Sequence, residues 1–144
     1  MANPKLFTHP CIHRYEGNPV MTCKDVPYPS TLVFNAGVIR YQGRYAMTFR
    51  NDYEHISQAK FAGTNIGLAF SDDGIHWRRS PEPLIRNGAP GSLDSRHAHK
   101  PCVIYHNGTL YHFYCAVRPT ETEEERRKFG KEFRCLTVAR STPF

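Results

Sequence analysis

Apolar residues in this chain fall in short runs that alternate with polar ones and are bounded by Gly, Pro, Asn and Asp, the pattern of β-strands joined by tight turns. Leu32-Val-Phe-Asn-Ala-Gly-Val-Ile-Arg-Tyr41 leads through Gln42-Gly43 into Arg44-Tyr-Ala-Met-Thr-Phe-Arg-Asn-Asp52. A two-residue turn at Gln42-Gly43 sets Tyr41 against Arg44, and counting outward sets Asn35 directly against Arg50. Further along, Tyr111, Phe113, Cys115 and Val117 alternate with His112, Tyr114 and Ala116. The pattern predicts a strand whose first set faces the core, with His106 and His112 on a strand surface.

The pattern also repeats. Val38-Ile-Arg-Tyr-Gln-Gly43-Arg-Tyr-Ala-Met-Thr-Phe49 aligns with Val103-Ile-Tyr-His-Asn-Gly108-Thr-Leu-Tyr-His-Phe-Tyr114, and Ile66-Gly-Leu-Ala-Phe-Ser71 with Leu136-Thr-Val-Ala-Arg-Ser141. Asn107-Gly108 is the stronger turn signal, because both residues tolerate positive φ. Each copy reads as strand, turn, strand, excursion, strand. Ser71-Asp-Asp-Gly74-Ile-His-Trp77 adds a turn and a short fourth strand to the first copy. Repeated four-stranded antiparallel units predict an all-β fold built of β-propeller blades. The expected division is an N-terminal arm at 1–30, a first blade at 31–90 and a second, incomplete blade at 91–144. The first excursion, residues 52 to 64, reads as a mixed polar loop. The second carries Thr122-Glu-Glu-Glu125 with Glu123 and Glu124 set four residues before Arg127 and Lys128, which predicts a short capped surface helix.

Composition narrows the classes. The chain has 144 residues, enough for one domain with a core, and a net charge of +6 spread along its length, so a nucleic-acid partner is not expected. The five cysteines, Cys11, Cys23, Cys102, Cys115 and Cys135, show no C-x-x-C spacing and read as free thiols in a reducing cytoplasm. No long apolar run and no apolar leader follows Met1, so neither a membrane span nor a secretory signal is expected. The acidic and basic residues between 121 and 134 cancel, which reads as a solvated face.

Candidate chemistry begins with Asn35, Arg50 and Asp52. An amide, a guanidinium and a carboxylate at one strand end offer planar, charge-assisted hydrogen bonds that grip vicinal hydroxyls or an anion. A purely structural Arg50–Asp52 ion pair at a sheet edge accounts for the same residues. His97 and His99 point to one face of an extended segment, as site-lining polar groups; a third metal ligand at recognisable spacing is lacking. Trp77 is assigned to packing, with sugar stacking as the alternative.

Four stretches carry a family resemblance: Asn18-Pro19-Val20; Val33-Phe34-Asn35-Ala36-Gly37-Val38; Phe49-Arg50-Asn51-Asp52; and Ser71-Asp72-Asp73-Gly74-Ile75-His76-Trp77. Over roughly residues 15 to 144 the chain resembles the N-terminal blades of glycoside hydrolase family 130, the mannoside phosphorylases and related mannosidases. The resemblance implies a five-bladed propeller, of which about two blades are present, with a sugar site at one end of its channel. It implies that Asn35, Arg50 and Asp52 hold the non-reducing sugar; Ala36 departs from members that place a sugar-contacting Ser there. The family's Asp-Pro-Arg element, which carries the general acid, matches Asp94-Ser95-Arg96. Distance from the Gly108 turn instead puts His99 in the acid's place. Arg96, His97 and Lys100 in the same stretch become substrate-binding candidates.

The resemblance thus implies cleavage of β-mannosides or related oligosaccharides with inversion, without a cofactor, and with inorganic phosphate as a possible co-substrate held by later blades. A non-catalytic carbohydrate-binding or structural role is the alternative. Two blades do not close a propeller, so a homo-oligomer or a partner chain supplying the missing blades is expected.

Overall fold

The computed structural model of the protein describes residues 9–57 and 60–142. Among these residues it is an all-β architecture of seven strands in one open sheet system: β1 (Leu32–Tyr41), β2 (Arg44–Ser57), β3 (Lys60–Ser71), β4 (Arg78–Arg79), β5 (His97–His106), β6 (Thr109–Pro119) and β7 (Glu132–Ser141), with one α-helix, α1 (Glu123–Phe129), and a 3-10 turn at Cys23–Asp25. Two antiparallel units make it up. The first runs β1-β2-β3 with β4 beside β3; the second runs β5-β6-β7. A single parallel pairing of Thr64 with His97 joins them.

Both tight turns form where the glycines call for them. Gln42 and Gly43 have φ of 49° and 78°, and Asn107 and Gly108 have 46° and 76°, the left-handed pair of a type I′ hairpin. The repeat holds in register as well as in sequence, since Ser71 pairs with Tyr45 and Ser141 with Leu110, its counterpart.

Three expectations change. Asn35 does not face Arg50: Phe34 does, because Asn35 and Ala36 together oppose Phe49 in a β-bulge, with Asn35 at φ 51°. A matching bulge sits at Lys100 and Pro101 in β5, with Lys100 at φ 54°. The expected polar loop at 52 to 64 is strand instead, β2 and β3 pairing from Tyr45–Ser71 out to Ser57–Lys60 with an irregularity after His55. The short fourth strand of the first unit does form, as Arg78–Arg79 just after Trp77.

The core face of β6 is exchanged along most of its length. Val117 of the expected core set is buried, but so are His112, Tyr114 and Ala116, while Tyr111, Phe113 and Cys115 are half-buried. The reason lies in how the units stack. Ile66 of β3 packs against Ala98, Tyr114 and Ala116, and Ile39 and Tyr41 of β1 against Val103 and Leu110, so one face of the first unit covers the second unit's small-residue face. The opposite face of the first unit, with Met47, Phe49 and Ala69, packs on Val26 of the N-terminal arm and on Trp77, which is therefore a core residue. At Gly67 an added methyl would collide with the Phe49 ring and the Tyr28 hydroxyl. Gly67→Ala is expected to cost about 1–3 kcal/mol, seen as a lower midpoint in urea denaturation.

Helix α1 starts at Thr122, whose hydroxyl accepts from the Glu125 N–H at 3.1 Å. The Glu125 carboxylate takes the Glu121 N–H at 2.9 Å and both Nη groups of Arg118 at 2.6 and 3.0 Å, docking the helix on β6. Among the described residues, no helix is long and apolar enough to cross a membrane.

Candidate functional site

Alternation along β2 puts Arg50 and Asp52 on one face, beside Phe34 and Ile66 and beside Leu32 and Thr64 respectively. Arg50 Nε donates to Asp52 Oδ1 at 2.6 Å and Nη2 to Oδ2 at 2.9 Å. The guanidinium also lies 4.5 Å from the centroid of the Phe34 ring. Asp52 is 1% exposed, so this is a buried bidentate pair and not a surface one. Such a pair fixes the guanidinium plane in space, and the ion-pair reading and the ligand-grip reading of these residues are thus compatible.

On the second unit His97 and His99 share a face of β5, their ring centroids 6.4 Å apart, and both are more than nine-tenths buried. Burial pushes each imidazole down to about 4, and the Arg50 charge adds to the effect in both. For His97 the Glu132 carboxylate, 3.8 Å from Nε2, acts in the opposite direction. Glu132 is raised by burial, but hydrogen bonding to Arg134 and the charge of Arg96 bring it below its ordinary value. Its contacts are Arg134 at 2.6 Å and Arg96 at 3.3 Å. An open cleft of about 590 Å³ beside this group is lined by Arg96, Phe129, Lys131, Glu132 and Arg134.

Arg50, Asp52, His97 and His99 therefore come together where the two units meet, with Arg96 at the cleft and Lys100 exposed on its bulge. Asn35 lies on the equivalent bulge of the first unit, at the same distance from its turn glycine as Lys100. Asp94 is held by two hydroxyls of its own unit. Its Oδ2 accepts from the Tyr114 hydroxyl at 2.8 Å and its Oδ1 from Ser92 Oγ at 3.2 Å. Tyr114 belongs to the face of β6 shared with Ala98 and Ala116, opposite to that of His97 and His99.

Glu132 and Arg134 were missed from the sequence, submerged in a stretch of cancelling charge. Their spacing of two on a strand, which puts both on one face, was the available signal. Tyr114 as the holder of Asp94 left no local signal, because the two lie twenty residues apart and share no motif.

No family model matches the chain. A β-1,4-mannooligosaccharide phosphorylase of Ruminococcus albus is 33% identical over 86 residues, 58% of this chain and 24% of the relative. A solved structure described as a glycoside hydrolase matches 92% of this chain and 32% of its own length, at 27% identity and a TM-score of 0.61. A third match has a TM-score of 0.65 at 16% identity over 90% of this chain and 37% of its own. It comes from work on GH130 mannoside phosphorylases and the hydrolases among them that target β-1,2 mannosidic linkages in Candida mannan. The chain spans about a quarter of the curated relative and about a third of these structures. In sequence the chain is thus similar to part of a mannooligosaccharide phosphorylase, and in fold to part of the glycoside hydrolase and GH130 structures.

Proposed function

We propose that the chain provides the sugar-gripping part of a carbohydrate-active site that acts on β-mannosides or related oligosaccharides. The observation that carries this reading is the buried bidentate Arg50–Asp52 pair set against His97 and His99 at the junction of two repeated units. In it, Arg50, Asp52 and Asn35 hold hydroxyls of the non-reducing sugar, and Arg96, His97 and Lys100 border the same space. The two units are the first two blades, 31–90 and 91–144, of a five-bladed propeller whose other blades complete the channel.

For turnover, the proposed acid is Asp94. It would give its proton to the glycosidic oxygen as inorganic phosphate, or water, attacks the anomeric carbon from the opposite face. The bond to the leaving sugar breaks, and mannose 1-phosphate or mannose forms with inversion. His99 is poorly suited to the acid's part: held at about 4, it is neutral at pH 7 and has no proton of the required acidity to give. Its place is as a neutral hydrogen-bonding group in the site.

A second reading, binding without turnover, is favoured by the Tyr114 and Ser92 hydrogen bonds that occupy both oxygens of Asp94. Release of mannose 1-phosphate from β-mannooligosaccharides and phosphate separates the two. Turnover that is lost in Asp94→Asn and kept in His99→Ala supports the enzyme; mannose binding without turnover supports the module.

Asn35 allows a clean test of the grip. At φ 51° glycine fits the backbone at least as well as asparagine, so Asn35→Gly removes the amide and leaves the bulge. The expected result is an unchanged unfolding midpoint with mannoside binding weakened about tenfold or more in calorimetric titration, the loss of one or two hydrogen bonds. Unchanged affinity would remove Asn35 from the site.

A further inference from the structure

The two repeated units differ most at the link between their second and third strands. In the first unit β2 ends at Ser57 and β3 begins at Lys60; in the second β6 ends at Pro119 and β7 begins at Glu132, with α1 between them. The inserted segment is tied down at both ends. Glu125 is held by Arg118 and by the Glu121 N–H, and at the far end the buried Thr120 donates its hydroxyl to the Gly130 carbonyl at 2.9 Å and its N–H to the Lys131 carbonyl at 3.2 Å. Phe129 and Lys131, on either side of Gly130, both line the cleft of about 590 Å³, and the Phe129 ring meets Phe133 edge-on with centroids 5.2 Å apart.

The rest of the lining comes from the sheet. Arg96, just ahead of β5, is tied to β6 by its N–H to the Val117 carbonyl, and Arg134 of β7 pairs with that same Val117. The two guanidinium groups thus reach Glu132 from different strands, at 3.3 and 2.6 Å. Lys131 has no carboxylate partner among the described residues. Three cations therefore share one carboxylate, and the cleft keeps an excess of positive charge beside a Phe129 ring that is 44% exposed. The charge suits an anion, and the ring suits an apolar face on the same ligand.

We propose that this cleft binds a sugar bearing a carboxylate, a uronic acid unit of the oligosaccharide, with Arg96, Lys131 and Arg134 facing the carboxylate and Phe129 against the ring. The proposal names a substrate class for the carbohydrate site above and rests on that reading: His97 lies 3.8 Å from Glu132 and also feels the Arg50 charge, so cleft and sugar grip adjoin. A planar carboxylate matches the guanidinium fork. Glu132 is a fixed negative charge in the lining, which repels a phosphate dianion more strongly than a monoanion and accepts sugar hydroxyls. A cleft of this size with an aromatic wall also exceeds what a bare phosphate ion fills. A neutral sugar would leave Lys131 without a counter-charge.

The test compares β-1,4-linked trimers of mannuronate and of mannose, titrated calorimetrically into the full chain at pH 7. The two ligands differ only in a carboxylate or a hydroxymethyl group on each ring. The mannuronate trimer is expected to bind about tenfold or more tighter at low salt, with the margin shrinking as salt is raised. Lys131→Gln should remove most of that margin, and Phe129→Ala should weaken the mannuronate trimer about threefold or more. Lys24→Gln, exposed on the arm, should change nothing. Equal affinity for the two trimers, or a margin indifferent to Lys131→Gln, overturns the proposal and leaves the sugar-site reading standing. Inorganic phosphate that displaces the mannuronate trimer at comparable concentration also overturns it, since the cleft would then be a general anion site. Binding of neither trimer overturns the sugar-site reading and this proposal together.

Discussion

Replacing Arg50 by alanine is expected to lower the unfolding free energy by about 3–5 kcal/mol, the cost of leaving a buried carboxylate without its partner. Asp52 is 1% exposed, and both its oxygens are taken by the Arg50 guanidinium. Once that guanidinium is gone, nothing in the bidentate geometry remains to offset the desolvation of the carboxylate. Arg50→Lys keeps the charge but loses the planar fork, so it should fall between wild type and alanine. The pair of changes Arg50→Met with Asp52→Asn removes both charges and should recover most of the stability, because the loss comes from the unpaired charge and not from the absent contact. That recovered variant separates stability from function. On the proposed sugar-gripping role of Arg50 and Asp52, it should fold and still fail to bind mannosides. Denaturation of the four proteins in urea measures this directly. A single Arg50→Ala variant within about 1 kcal/mol of wild type would show the pair to be worth no more than a surface one.

The register that delivers this pair was legible up to a point that physics defines. The turn residues Gln42-Gly43 and Asn107-Gly108 have one economical conformation, and the pairing nearest each turn follows from it. Counting outward fails at the first bulge. Asn35 and Lys100 stand at equivalent places, and the bulges there shift every pairing beyond by one residue on one strand. A signal for them does exist. Pro101 lacks the N–H a central strand needs, and Asn35 is among the few residue types that accept a left-handed φ; the two fall at matching offsets of the repeat. Read jointly, they mark a bulge in each unit and explain how Arg50 comes to face Phe34.

The choice of core face on β6 was beyond reach for a different reason. Alternation says that two faces differ, but their fates depend on the neighbour. His112 and Tyr114 are buried because the first unit lies over them, and His112 gains the Ser141 hydroxyl at 2.9 Å. Tyr111 and Phe113, apolar and by pattern the better core residues, remain half-covered. The candidate site was legible as residue types: Arg50, Asp52, His97 and His99 were all singled out, and they do converge. What the local pattern could not convey is that Asp94 turns to Tyr114, a contact within the second unit between residues that share no motif.

The buried histidines give the second large effect, a loss of stability in mild acid. Folded His97 and His99 are held at about 4 by burial, whereas in the unfolded chain each returns to the ordinary 6.5. Between those values the unfolded state binds protons that the folded state refuses, so unfolding is favoured as pH falls. The stability is fully present above about pH 6.5, falls progressively towards pH 4, and below that no longer changes on account of these groups, both states being protonated. Together the two should contribute a decline of about 2–5 kcal/mol across that window. Glu132 and Glu125, held below the ordinary carboxylate value, act in the other window: their contribution is lost only below about pH 4.5. Urea midpoints measured from pH 7.5 to 4.5 therefore isolate the histidines. His99→Gln should flatten the slope, and His97→Gln by somewhat less, since Glu132 at 3.8 Å favours the protonated form of His97 alone; the buried His112, also lowered by burial, supplies part of what remains. The same numbers bear on chemistry. An imidazole that costs stability to protonate is neutral at pH 7, so a His99 that titrated near 6.5 in the folded protein would reopen its claim to the acid's position, and a flat stability profile above pH 5 would be the first sign of it.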